Sequence, residues 1–220
     1  MKDKRMSLED FQKRIPDGAV IMVSGFLGDG TPETLIDALL KGPQGNFTLI
    51  ANDTAFSHKG IGKLIVARKV RKVIVSHIGT NPETQKQMIE GSLDVSLVPQ
   101  GTLAEQIRAG GFGLGGILTP TGVGTLVENG KPKITLEGKE YLVEKALKAD
   151  FALIKAKKAD FYGNCTFNFT AQNFNSLMPF ACSCTICEVQ EMVPVGGLSP
   201  NEIQLPHAVV DFLVKGGAQV

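Results

Sequence analysis

Four short runs of β-branched and aliphatic residues constrain this chain most: AVIMV ending at Val23, FTLIA ending at Ala51, KVIVS ending at Ser76 and DVSLV ending at Val98. Each leads into a loop rich in Gly, Asn or Thr, and usually then into a helical stretch. Nearly continuous apolar runs suit strands covered on both faces, and intervening helices suit a parallel sheet. The pattern predicts an α/β fold, a mostly parallel sheet flanked by helices in three layers. Pro32 behind Thr31 and Pro82 behind Asn81 place proline at a first helical position after a capping residue, with Glu33 and Glu83 in the positive first turn. Leu35, Ile36, Leu39 and Leu40 recur at helical spacing and give one apolar face. Helix N-termini then gather at the carboxyl edge of the sheet, where ligands of open α/β sheets bind.

From about Thr125 the texture changes. TLVENGKPKITLEGKEYLVEKA alternates apolar and polar residues around Asn129-Gly130 and Glu137-Gly138, predicting a small antiparallel hairpin meander near 125-145. ADFALIKA and FACSCTICEV read as strands returning to the main sheet. No low-complexity linker and no repeat of solenoid period divides the 220 residues, so one domain spanning 1-220 is expected.

Composition narrows the function classes. With 43% hydrophobic and 20% charged residues the chain has the balance of a globular protein, which excludes disorder and collagen. A net charge of +1, 6% aromatics and no Trp argue against a nucleic-acid groove. The start MKDKRMSLEDFQKR lacks the apolar core of a signal peptide, and no run approaches the ~20 apolar residues of a membrane span. A cytoplasmic protein is expected, with no membrane contact and reduced cysteines.

Ser24, Gly25, Phe26, Leu27, Gly28, Asp29 and Gly30 form a glycine-rich turn between a strand and a helix. Such a turn exposes N–H groups to an anion, although a tight turn without ligand fits the spacing equally well. Thr31-Pro32 follows where a P-loop needs Lys and then Ser or Thr, so nucleotide hydrolysis is disfavoured. Gly111 to Gly116 matches G-x-G-x-x-G but follows a helical stretch, Leu103 to Arg108, instead of a strand, so a mobile or closely packed loop is expected, one that lets a partner surface or an extended ligand approach. Asn52 and Gln100 lie in polar clusters at strand ends, where their amides would either donate to a developing oxyanion or satisfy turns. His77 has no Ser or Cys nucleophile motif beside it. Cys182, Cys184 and Cys187 lie in a strand whose neighbouring side chains face opposite ways, so no metal is expected. Glu128 falls in a hydrophilic hairpin turned at Asn129-Gly130 and is set aside as a nucleophile.

Taken together, DGAVIMVSGFLGDGTP (17–32), LIANDTA (49–55), VSHIGTNPET (75–84), LVPQGTLAEQIRAGGFGLGG (97–116) and LTPTGVGT (118–125) resemble the alpha subunit of class I coenzyme A-transferases, in particular the bacterial acetate/acetoacetate (butyrate–acetoacetate) branch. Ser24 departs from the family signature, which has a glycine there. The resemblance implies a CoA-transferase and sugar-phosphate-isomerase type of fold and ping-pong transfer of CoA between carboxylic acids through a glutamyl-CoA thioester. It places the nucleophilic glutamate on a beta subunit, in an alpha2beta2 assembly. This chain would supply Ser24 to Gly30 for the CoA substrate, and Asn52 and Gln100 at the acyl site. CoA and acyl-CoA enter as substrates, with no permanently bound cofactor. The alternative is a ligand-binding or isomerase domain of the related sugar-phosphate-isomerase or DeoR-type fold, for which no helix-turn-helix precedes the first strand.

Overall fold

In the computed structural model, which describes residues 3–217, α1 (Leu8–Arg14) opens with Ser7, whose side chain accepts from the Asp10 N–H. The four apolar runs form β1 (Val20–Val23), β2 (Phe47–Ile50), β3 (Val70–Val75) and β4 (Asp94–Leu97), separated by α2 (Glu33–Lys41), α3 (Gly62–Val66) and α4 (Pro82–Ile89). Asn81 caps α4 with Pro82 at its first turn, as predicted. At α2 the proline occupies the cap position itself and neither it nor Thr31 supplies a side-chain bond. The next helix, α5 (Gln100–Gly111), starts three residues before its predicted span, so Gln100 opens a helix directly after β4.

The chain then leaves the main sheet for β5 (Gly116–Thr119), β6 (Lys133–Leu136) and β7 (Lys139–Lys145), a three-stranded antiparallel sheet in the order β5-β7-β6. The hairpin turn is Glu137-Gly138, both at positive φ (49° and 76°), as a tight two-residue turn requires. Asn129-Gly130 is not that turn. Asn129 (φ −58°, ψ 125°) and Gly130 (φ 73°) form a type II turn, closed by the Lys131 N–H on the Glu128 carbonyl at 3.0 Å, ahead of β6. The third strand, β5, comes from before the predicted window.

β8 (Ala149–Asp160), the short β9 (Cys165–Thr166), β10 (Cys182–Val193) and β11 (Phe212–Lys215) complete the main sheet. Its order is β11-β10-β8-β1-β2-β3-β4, with every neighbouring pair parallel and β9 antiparallel to β8. Phe180 and Ala181, expected in the β10 strand, close a 3-10 turn before it. Helices cover both faces. Phe11, Leu35, Leu39 and Leu64 fill one core, and Leu103, Ile107, Phe174 and Met178 fill the other.

β10 carries Cys184 against the first core and Cys187 within the second. Alternation along a strand thus separates two of the three clustered thiols, and Cys165 on β9 lies 4.0 Å from Cys187, sulfur to sulfur. Burial pushes the Cys184 thiol up to about 11 and the Cys187 thiol well above its ordinary value. Cys184 and Cys187 are thus packed on opposite faces of the sheet. Among the described residues no helix is long and apolar enough to cross a membrane.

Candidate functional site

β1 ends at Val23, and the Ser24–Gly30 turn sits on the carboxyl edge of the sheet. Phe26 and Asp29 exchange both backbone hydrogen bonds at 2.9 Å, enclosing Leu27 (φ 50°) and Gly28 (φ 84°). Gly25 has φ 117°, and a Cβ there would overlap the Thr31 hydroxyl, so only glycine fits without moving the helix start. Ser24 is 2% exposed, and its hydroxyl donates to the Gly30 carbonyl at 3.0 Å, which clasps the two ends of the turn together. Phe26 and Asp29 are left exposed at its tip.

A second turn of the same build follows β2. Phe56 and Lys59 bridge there as Phe26 and Asp29 do, and the Lys59 side chain lies across Gly28 with Nζ 3.4 Å from Asp29 Oδ1. FLGDG and FSHKG share their phenylalanine and a closing glycine, Gly30 and Gly60, both at positive φ (74° and 57°), which is the one signal of the repeat that the residues carry. Asp53 ties the two turns together. Its Oδ2 accepts the Leu27 N–H at 3.0 Å and its Oδ1 the Ala55 N–H at 2.7 Å. Asp53 is a site residue that sequence reasoning quoted within ANDTA without singling out.

Asn52 and Gln100 meet directly. Asn52, 2% exposed, donates through Nδ2 to the Gly25 carbonyl at 2.7 Å and accepts Gln100 Nε2 on Oδ1 at 2.5 Å. Gln100 Oε1 accepts from Ser76 Oγ at the end of β3. The Gly25 carbonyl only accepts, which fixes the orientation of both amides along the relay. Asn52 is thereby a buried strut under the turn, whereas Gln100 is exposed and holds a second N–H. The carboxyl ends of β1, β2, β3 and β4 are joined through these four side- and main-chain groups.

On the far side of the turn, Asn175 donates to the Gly30 carbonyl (3.1 Å) and accepts the Lys155 N–H (2.7 Å). The cap missing at α2 comes from β10. Glu188, 2% exposed, accepts the Thr34 N–H at 2.7 Å and the Leu35 N–H at 3.3 Å. Burial raises the Glu188 carboxyl, against the opposing pull of Lys155 and these N–H groups.

His77 is exposed at the end of β3, where its carbonyl accepts the Thr54 N–H at 3.3 Å. Glu128 Oε2 accepts the Gly124 N–H at 2.6 Å, a bond that holds its carboxyl below the usual range, and Lys133 Nζ stands 3.5 Å away. It latches a turn. The glycine loop is packed at its two ends and open between them: a Cβ on Gly110, Gly111 or Gly116 would meet the Leu147 carbonyl, Phe180 and the Glu144 carbonyl respectively, whereas Gly113 and Gly115 have open space around them.

The family profile described as Coenzyme A transferase matches residues 5–216. The chain is 56% identical to the acetate CoA-transferase subunit alpha of Escherichia coli over 214 residues, 97% of each chain. It is 45% identical over 215 residues to the acetoacetyl-CoA:acetate/butyrate CoA transferase alpha subunit of Clostridium acetobutylicum, covering 98% of this chain and 99% of that one. An Escherichia coli acyl-CoA transferase structure superposes with a TM-score of 0.86 at 24% identity, over 98% of this chain and 47% of the other, so the chain spans about half of that protein. A profile match over almost the whole length, joined to identity of this order, settles the kinship: the chain belongs to the coenzyme A transferase family.

Proposed function

We propose that this chain is the alpha subunit of a cytoplasmic CoA-transferase that moves CoA between acetyl-CoA, or a similar short-chain acyl-CoA, and a carboxylic acid such as acetoacetate or butyrate. The single observation that carries the reading is the relay from Gly25 through Asn52 to Gln100, which puts an exposed amide donor beside a rigid glycine turn on the carboxyl edge of the sheet. Residues 1-220 act as one unit. The Ser24–Gly30 turn lies against the CoA-bearing substrate, and Gln100, held by Asn52, donates to the oxygen that becomes negative as the thioester carbonyl is attacked.

The nucleophile is a glutamate on a beta subunit, in an alpha2beta2 complex, and CoA is carried on it as a glutamyl thioester between the two half-reactions. Within this chain Glu128 and Glu188 are engaged in backbone bonds, which supports a nucleophile from elsewhere. The test is co-expression with a beta subunit of the same family. CoA transfer from acetyl-CoA to acetoacetate should appear only in the complex, and hydroxylamine or borohydride trapping should mark a beta-chain glutamate. Full activity of this chain alone, with a CoA adduct on one of its own residues, would refute the proposal.

A further inference from the structure

The strand order of the main sheet reverses at β1, with β2 on one side and β8 on the other. In open parallel sheets the ligand crevice opens outside the carboxyl ends at such a reversal. A cleft of about 260 Å³ occupies that place here. Gly28 to Gly30 form one wall, Lys155, Lys157 and Gln190 the other, and Asn168 and Thr170 help close it.

Lys155 carries the chemistry. Its side chain is 9% exposed, and its ammonium has no hydrogen-bond acceptor among the described residues. Its counter-charge, Glu188, stands 3.8 Å off, beyond hydrogen-bond reach, with the other carboxylate oxygen committed to the start of α2. An ammonium so nearly buried has three N–H donors to satisfy. Lys157, two residues along the same face, has no ion pair among the described residues, and the carboxylate of Asp29 on the opposite wall is countered by Lys59. Past Lys157 and Asn168 the cleft adjoins a second hollow of about 450 Å³ lined by Lys158 and Gln204.

We infer that this cleft is a substrate oxyanion subsite, in which Lys155 and Lys157 bind phosphate or carboxylate oxygens while Asn168, Thr170 and Gln190 add neutral hydrogen bonds. The inference rests on the CoA-transfer reading, which offers two sources of such oxygens: the phosphates of CoA and the carboxylate of the acid. The test uses the complex with the beta chain and two variants. One is Lys157→Ala, at a half-exposed position. The other is the double variant Lys155→Met with Glu188→Gln, which leaves neither charge buried alone.

KM is measured for acetyl-CoA, for acetyl-pantetheine, which lacks the phosphates, and for the acid. Loss of a charge-assisted contact should raise one KM about tenfold with kcat nearly unchanged. A rise for acetyl-CoA but not acetyl-pantetheine identifies the phosphates, and a rise for the acid identifies its carboxylate. Unchanged KM values in both variants, or an equal loss on all three substrates, would overturn the subsite. Failure of the parent reading looks different, because the unsubstituted complex would then transfer no CoA at all. In that event calorimetric titration with inorganic pyrophosphate decides: binding about tenfold weaker in Lys157→Ala supports the subsite, and equal binding or none in the unsubstituted protein overturns it.

Discussion

Gly25 and Asn52 depend on each other, because among the described residues the Asn52 amide is the only hydrogen-bond donor to the Gly25 carbonyl. Asn52→Ala leaves that buried carbonyl without its side-chain donor, which should cost about 1–3 kcal/mol of stability together with activity. Gln100 is exposed, so Gln100→Ala should lower turnover about 10²–10³-fold while the melting midpoint barely moves. Thermal unfolding and steady-state kinetics on the same two complexes separate the strut from the donor. Residue types at strand ends were enough to single out both amides. Their division of labour was not legible, since it depends on which of them the sheet buries. Gly25→Val illustrates the same limit: the overlap with Thr31 predicts a remodelled turn and a less stable protein, a constraint that glycine spacing alone does not carry. The Cys184 thiol, pushed up to about 11 by burial, is ionised in only about one molecule in a thousand at about pH 8. Alkylation under native conditions should therefore be slow there and absent at Cys187, with all four cysteines labelled after unfolding.

At the scale of elements, α2 is the clearest case of a helix whose terminus is completed from a distance. Thr31-Pro32 reads as a local start signal, yet the acceptor comes from Glu188, 154 residues later in the chain. No window of sequence holds that contact. The folded carboxyl titrates above its ordinary range and the unfolded one within it, so the folded form takes up the proton more readily. The stability linked to this group is accordingly full below the ordinary glutamate range and is lost as pH rises through the folded value. Glu188→Gln keeps an acceptor for Thr34 and removes the titration, while leaving the Lys155 ammonium without its counter-charge. The stability difference, unsubstituted minus variant, should shrink as pH is raised from about 4, as measured by chemical denaturation at a series of pH values. By contrast β1 and β2 were legible almost to the residue, because a buried parallel strand is apolar on both faces, whereas β3 begins two residues before its KVIVS run and the half-buried β4 was marked by the turn signals around it. The β6–β7 hairpin was legible from Glu137-Gly138, while β5 was missed because Gly116–Thr119 has no alternation and pairs with a strand about twenty residues downstream.

The whole molecule has two edges of different character. At one, β4 is only half-buried, and Leu97 is 53% exposed. At the other, the first described residues run beside the last strand: the Met6 N–H donates to the Leu213 carbonyl, and the Leu213 N–H to that of Lys4, both at 2.8 Å. Neither β11 nor this pairing was foreseen, because four-residue strands carry little pattern. Beyond the main sheet, Leu118, Leu126, Ile134 and Leu136 lie exposed on and around the small antiparallel sheet. The pairing of Lys4 and Met6 with Leu213 also bears on biosynthesis. Every neighbouring pair from β11 to β4 is parallel and joined by a crossover, the short β9 alone returning on β8 as a hairpin, and the last seam needs residues separated by almost the full length of chain. Such a topology folds slowly, since long loops must close before their contacts form. A ribosome that has not yet released residue 215 carries a sheet with β10 bare along one side and an opening segment that has nothing to pair with. The sheet is therefore complete only once β11 has joined it, and nascent chains halted before β11 should be far more sensitive to protease than those extended past it.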